Sequence, residues 1–101
     1  MAIKAISISG YTQGNLAISS TAATTVPADI PELADYALWT DVDCYIKIGP
    51  PETTTVTVAN GFILYAGGMP PPITISKGSC IQAITSSASG TLCYHKVGVL
   101  R

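Results

Sequence analysis

Every apolar run in this 101-residue chain is cut within a few residues by Gly, Pro, Ser or Thr. An amphipathic helix needs apolar residues recurring every three or four positions over ten or more residues, and no window here has that period. Alternation and β-branched residues take its place, and both favour extended backbone. The cleanest case is residues 44–48, where Cys44, Ile46 and Ile48 fall on one side and Tyr45 and Lys47 on the other. Gly49-Pro50-Pro51 ends that strand, because a proline cannot donate to a ladder. Just upstream, residues 36–40 form a second apolar run with the only tryptophan, Trp39. Asp41-Val42-Asp43 between them is short and polar enough for a hairpin connection, so the spacing predicts a central antiparallel pair.

The same punctuation divides the rest of the chain. Residues 3–9 place Lys4, Ile6 and Ile8 on one face and Ala5, Ser7 and Ser9 on the other, and Gly10 and Gly14 bracket Tyr11-Thr12-Gln13 as a flexible link. Residues 1–15 are therefore expected as an N-terminal arm or first strand that packs on a neighbouring subunit, ahead of a sandwich domain over residues 16–101. Residues 16–26 carry no charge and are expected to be extended up to Pro27. Pro27 and Pro31 leave room for a loop, or at most one helical turn near Pro31. After the central pair, residues 53–59 read as a Thr/Val strand with Val56 and Val58 on one face, and Asn60-Gly61 is a turn signal. Residues 62–65, 73–75, 80–84 and 91–97 supply further short runs. About eight short strands at a spacing of roughly 8–12 residues predict an all-β antiparallel sandwich or barrel.

Composition narrows the possible partners. Charged residues make up 11% of the chain against a usual share of roughly 25%, and hydrophobic residues 48%. Much of the surface must then be Thr, Ser, Ala, Gly or apolar, which suits contact with other protein. A net charge of −1 without clustered Lys or Arg argues against binding nucleic acid or an anionic membrane. No run reaches bilayer-spanning length and the N-terminus is too broken for a secretory signal, so synthesis in a cytoplasm is expected. The six acids, Asp29, Glu32, Asp35, Asp41, Asp43 and Glu52, lie in one block, and only Lys77, Lys96, Arg101 and His95 follow it. Scatter among few charges explains this better than an acidic edge meeting a basic edge in a ring.

The residues that carry chemistry are sparse. His95 is the only histidine, on a strand face shared with Cys93 and Val97; with Cys44 and Cys80 it would give a Cys₃His set, yet the close cysteine pair of structural zinc sites is missing. Reduced, buried thiols and an ordinary histidine are the expectation. Asp41 and Asp43 read as solvated turn residues rather than paired catalytic carboxylates or calcium ligands. Gly67-Gly68 lacks the Lys-Ser/Thr and helix of a phosphate loop. Tyr36, Trp39, Tyr45, Phe62 and Tyr65 suit packing better than a sugar-stacking platform. The chain is expected to be no enzyme and to need no cofactor or metal.

Four runs carry a resemblance: Asp43-Cys44-Tyr45-Ile46-Lys47-Ile48-Gly49, Asn60-Gly61-Phe62-Ile63-Leu64-Tyr65-Ala66-Gly67-Gly68, Ile73-Thr74-Ile75-Ser76-Lys77-Gly78-Ser79-Cys80-Ile81-Gln82-Ala83-Ile84, and Ser89-Gly90-Thr91-Leu92. With the segments between them they cover about half of the chain, and they resemble small β-sandwich virion proteins of tailed bacteriophages. The resemblance implies a jelly-roll-like sandwich that decorates or cements a capsid by binding the major capsid protein, commonly as a homotrimer on the virion surface. It brings no catalytic residues. The outside contacts are expected from the arm, through Ile3, Ile6, Ile8 and Tyr11, and from the loop Met69, Pro70, Pro71 and Pro72. A receptor- or carbohydrate-binding virion appendage and a head or tail completion protein are the alternatives.

Overall fold

The computed structural model describes residues 13–68 and 70–99, and it is all-β. Eight strands follow in order: β1 (Gln13–Ile18), β2 (Ala23–Thr24), β3 (Ala34–Thr40), β4 (Cys44–Gly49), β5 (Phe62–Leu64), β6 (Ile73–Ile75), β7 (Cys80–Ile84) and β8 (Gly90–Val99). They form two antiparallel four-stranded sheets, ordered β1-β8-β3-β6 and β2-β7-β4-β5. The pairing is nested: β4 pairs with β5, β3 with β6, β2 with β7 and β1 with β8. The β3–β8 and β4–β7 ladders then join these pairs into sheets. A long hairpin rolled up so that successive pairs alternate between two layers is a jelly roll, and the sandwich has that topology.

Alternation dictates the core. On β3 the burial pattern turns Ala34, Tyr36, Leu38 and Thr40 inward, and on β4 Cys44 and Ile46 face them from the other sheet. Leu92 and Tyr94 of β8 join this layer from the centre of the first sheet. Tyr36 is fully buried and satisfies its hydroxyl by donating to the Glu32 carbonyl at 3.0 Å. Gly14 is required where it stands: a Cβ there would come 2.5 Å from the Tyr94 hydroxyl oxygen, because the tyrosine ring folds across β1. Lys96 also points inward from β8, buried, with its ammonium on the Glu32 carboxylate.

Several expectations need correction. The apolar runs on either side of residues 41–43 are not a hairpin: β3 and β4 lie in different sheets, and the segment is a corner from one layer to the other. Thr40 closes that corner by donating to the Val42 carbonyl at 2.7 Å. Residues 53–59 form no strand. They cross the outer face of the β2-β7-β4-β5 sheet as a strap held by Gln82, whose Oε1 accepts from the Val56 amide at 2.7 Å. The helical turn lies at Pro27–Asp29 as a 3-10 turn, one proline earlier than expected; the Asp29 carboxylate accepts from the Val26 amide at 3.0 Å. Residues 16–26 divide between two strands, and Thr25 extends the β2–β7 ladder by accepting the Ile81 amide on its hydroxyl at 2.9 Å. β1 begins at Gln13, so the end of the stretch expected as an arm or first strand belongs to the first described strand.

Candidate interaction surface

The residues that might have carried chemistry are kept apart by the two layers. Cys44 points into the core, whereas Cys93 and His95 stand on the outer face of the other sheet. The β-layer between them separates any Cys₃His set, and no group of three or more His, Cys, Asp or Glu side chains that could hold a metal occurs among the described residues. Burial pushes the Cys44 thiol up; a hydrogen bond with Thr40 pulls it down less, and the charge of Asp43 adds to the rise. Such a thiol is held protonated and inert. Cys93 is not buried as expected but half-exposed, because β8 alternates and odd-numbered residues face out there.

Asp41 and Asp43 serve the corner. The Asp41 carboxylate accepts from the Thr91 amide at 2.8 Å and that of Asp43 from the Ala66 amide at 2.8 Å. Each thereby pins a distant segment to the β3–β4 turn, which explains two acids around one valine better than metal ligation does. The aromatic residues are likewise dispersed. Tyr36 is in the core, Trp39 lies 39% exposed on the outer face of the β1-β8-β3-β6 sheet, and Tyr45 lies half-buried on the outer face of the opposite sheet. Phe62 and Tyr65, on and just after β5, are both exposed, Phe62 at a cleft with Ile48 and Ile73 and Tyr65 beside Ile63 and Pro70.

What the fold places at its margins is a set of strands with no charged residue of their own, beside Lys47, which lines the cleft with Phe62, and Asp35, which accepts from the Thr74 hydroxyl at 2.6 Å. Among the described residues the edge strands are β1 and β6 in one sheet and β2 and β5 in the other. Residues 13–28, which hold β1 and β2, and residues 53–76, which hold β5 and β6, contain no Asp, Glu, Lys or Arg. All charged strand residues lie on β3, β4 and β8, which are interior to the sheets. Natural edges are protected by charge, by proline or by being very short; here charge is missing, and β2, β5 and β6 are only two or three residues long, with three prolines ahead of β6.

The β5 margin is also apolar. Phe62 is 51% exposed, Ile63 37%, Tyr65 61% and Val58 48%, and they form half of the large apolar side chains exposed among the described residues. The register explains the exposure. Ile63 continues an outward row, Ile84–Tyr45–Ile63, that runs across the sheet and stops at its edge. Phe62 pairs with inward Ile46, but beyond the last strand it has only the mouth of a cleft to fill, with Ile48 and Ile73 on the cleft walls. Gly61 lets the strap lie flat beside this row; a Cβ there would sit 2.8 Å from Val56 Cγ2 and 3.0 Å from Tyr45 Cβ.

Of the expected contact residues, Ile3, Ile6, Ile8, Tyr11 and Met69 lie outside the described residues. Pro70 is half-buried beside Ile63, Leu64, Tyr65 and Gly68, and Pro71 and Pro72 are exposed. Sequence reasoning missed Val58, Phe62, Ile63 and Tyr65 as surface. Their signal was the absence of any charge between Glu52 and Lys77, which acquires meaning once β5 and β6 are known to be edges. No protein-family model, curated protein or solved structure matches the chain.

Proposed function

We propose that the chain is a non-enzymatic virion structural protein that decorates and cements a bacteriophage capsid by binding the lattice of its major capsid protein, as a homotrimer. The observation that carries this reading is the set of four uncharged edge strands with apolar side chains gathered on β5. A cementing protein adds contact area across joints between shell subunits, and neutral Thr, Ser and Ala surface with apolar anchors does so without the desolvation cost of buried charge. The choice of a phage shell as the partner is supported by the resemblance of the four sequence runs. In this reading the segment ahead of β1, with Ile3, Ile6, Ile8 and Tyr11, and the loop Met69-Pro70-Pro71-Pro72 contact the shell.

Counting copies in purified particles tests it. Cement is expected in fixed proportion to the major capsid protein; a few copies per particle would indicate a completion protein, and absence from particles would refute the virion role. Deleting residues 1–12 is expected to weaken shell binding and leave the sandwich folded. A second reading is favoured by one observation: Trp39 is 39% exposed in a cross-strand row with Cys93 and Asn15, and an accessible indole on a flat sheet suits stacking against a sugar ring. A receptor-binding appendage would bind a glycan array and lose that binding on Trp39→Ala, whereas cement binds the shell with or without the indole.

A further inference from the structure

We propose that Asn60 is a site of spontaneous deamidation and that the strap over residues 53–59 locks it, so that the amide is lost only when the strap lifts off its sheet. The chain has two asparagines, Asn15 followed by Leu16 and Asn60 followed by Gly61. In the reaction the backbone nitrogen of the next residue attacks the asparagine Cγ. The N–Cγ bond forms, the Cγ–Nδ2 bond breaks, and Nδ2 leaves as ammonia with the proton given up by the attacking nitrogen. Water then opens the cyclic imide at either carbonyl, giving aspartate, or isoaspartate with the main chain rerouted through Cγ. A side chain on the attacking residue crowds the ring, and glycine has none. Gly61 is held there by packing rather than by backbone conformation: its φ is not positive, but a Cβ would meet Val56 Cγ2 at 2.8 Å and Tyr45 Cβ at 3.0 Å. The fold thus requires an unhindered nucleophile beside an exposed asparagine.

The same turn ties up both reacting groups. The Asn60 side chain is turned back toward the strap: its Oδ1 accepts the Thr57 amide at 2.7 Å and its Nδ2 donates to the Thr55 carbonyl at 3.1 Å. The Gly61 amide, which is the nucleophile, donates to the Thr57 carbonyl at 3.0 Å. Ring closure must break all three bonds. Thr55 and Thr57 are in turn fixed by the strap, which is pinned between them by buried Val56 and its bond to Gln82. Reaction therefore passes through local opening, at a rate set by the population of the lifted strap. The consequences fall on the β5 margin. An aspartate still accepts from Thr57 but sets an acceptor against the Thr55 carbonyl, and it puts the first charge into the run between Glu52 and Lys77. An isoaspartate adds a main-chain carbon two residues ahead of Phe62 and shifts Phe62 against its partner Ile46.

The full chain is incubated in mildly alkaline buffer, native and in denaturing urea, and deamidation is followed by peptide mass mapping with Asn15 as internal reference. Asn60 is expected to react readily in denaturing urea and at least about tenfold more slowly in the native chain, while Asn15 stays intact in both over the same period. In native buffer Gln82→Leu, which takes the anchor from the strap, is expected to speed the reaction by about five- to thirtyfold. Sub-denaturing urea gives the same test on the unsubstituted chain: deamidation and hydrogen exchange at the Gly61 amide are expected to rise in proportion. Equal rates in the native and unfolded chains would overturn the lock. A folded Gln82→Leu chain that exchanges its Val56 amide faster yet deamidates at the native rate would overturn the role of the strap, as would deamidation that stays flat while Gly61 exchange rises. Asn60 unreacted in denaturing urea would overturn the site itself.

Discussion

Gln82 stands on the outward face of β7 and is nevertheless only 7% exposed. Its Oε1 accepts the Val56 amide, and its Nε2 donates to the carbonyls of Thr53 and Thr54 at 3.4 Å, so one side chain ties the strap to the sheet at three backbone groups. Gln82→Leu keeps the volume and removes the partners, leaving a buried amide unpaired at a cost of about 1–3 kcal/mol. Urea denaturation is expected to register that loss, together with faster hydrogen exchange at the Val56 amide; an unchanged midpoint would mean the strap is held otherwise. Two other buried groups make stability depend on pH. Burial raises the Cys44 thiol, and burial together with the charge and hydrogen bond of Asp29 raises the Tyr94 phenol. The folded state then keeps protons that the unfolded chain gives up. Their stabilisation is complete below the unfolded pKa values and is lost as pH rises through the folded ones. Denaturation midpoints measured from about pH 8 to about pH 11 are expected to fall, and to fall less in the Cys44→Ala, Tyr94→Phe double variant.

Among the elements, the β3–β4 corner shows how a correct reading of local pattern leads to a wrong pairing. Alternation identified both strands, and the three residues between them, two acids around a valine, are as compatible with a turn within one sheet as with a step between two. What selects the step is remote: Asp41 is engaged by Thr91 at the start of β8, and Asp43 by Ala66 after β5. Asp41→Ala and Asp43→Ala are each expected to lower stability by about 1 kcal/mol, and to do so additively because they anchor different segments. Thermal denaturation checks this, and added calcium is expected to leave the wild-type midpoint where it is. Residues 53–59 misled in the opposite way. Their β-branched residues have strand propensity, but the β4 edge they might have joined is occupied by β5, and Val56 finds its burial on top of the sheet instead.

For the molecule as a whole, nested pairing makes the chain ends interdependent. β8 lies between β1 and β3, so among the described strands it gives β1 its one ladder and β3 the longer of its two. Truncation after residue 89 is expected to abolish folding outright, seen as loss of the sheet circular-dichroism signal and of cooperative melting. Removal of residues 1–12, ahead of β1, is expected to leave both intact. Because β1 meets β8 only after nearly the whole chain has been traversed, folding is also expected to be slow, in the range of milliseconds to seconds.

The sequence alone was enough for the all-β class, for the limits of β6 and β7 and nearly those of β4, and for which residues of β8 share a face, though not for which face is buried, because strand alternation and Gly or Pro breaks are local properties of the backbone. It also held the uncharged runs over residues 13–28 and 53–76 in plain view. Their meaning was decided by the tertiary structure: a strand becomes an edge only when nothing pairs with its far side, and that depends on which distant strands take the interior positions. The same long-range competition turned one expected strand into a strap, placed the central pair in separate layers, and gathered Phe62, Ile63 and Tyr65 on a margin that nothing in their own neighbourhood marks as exposed.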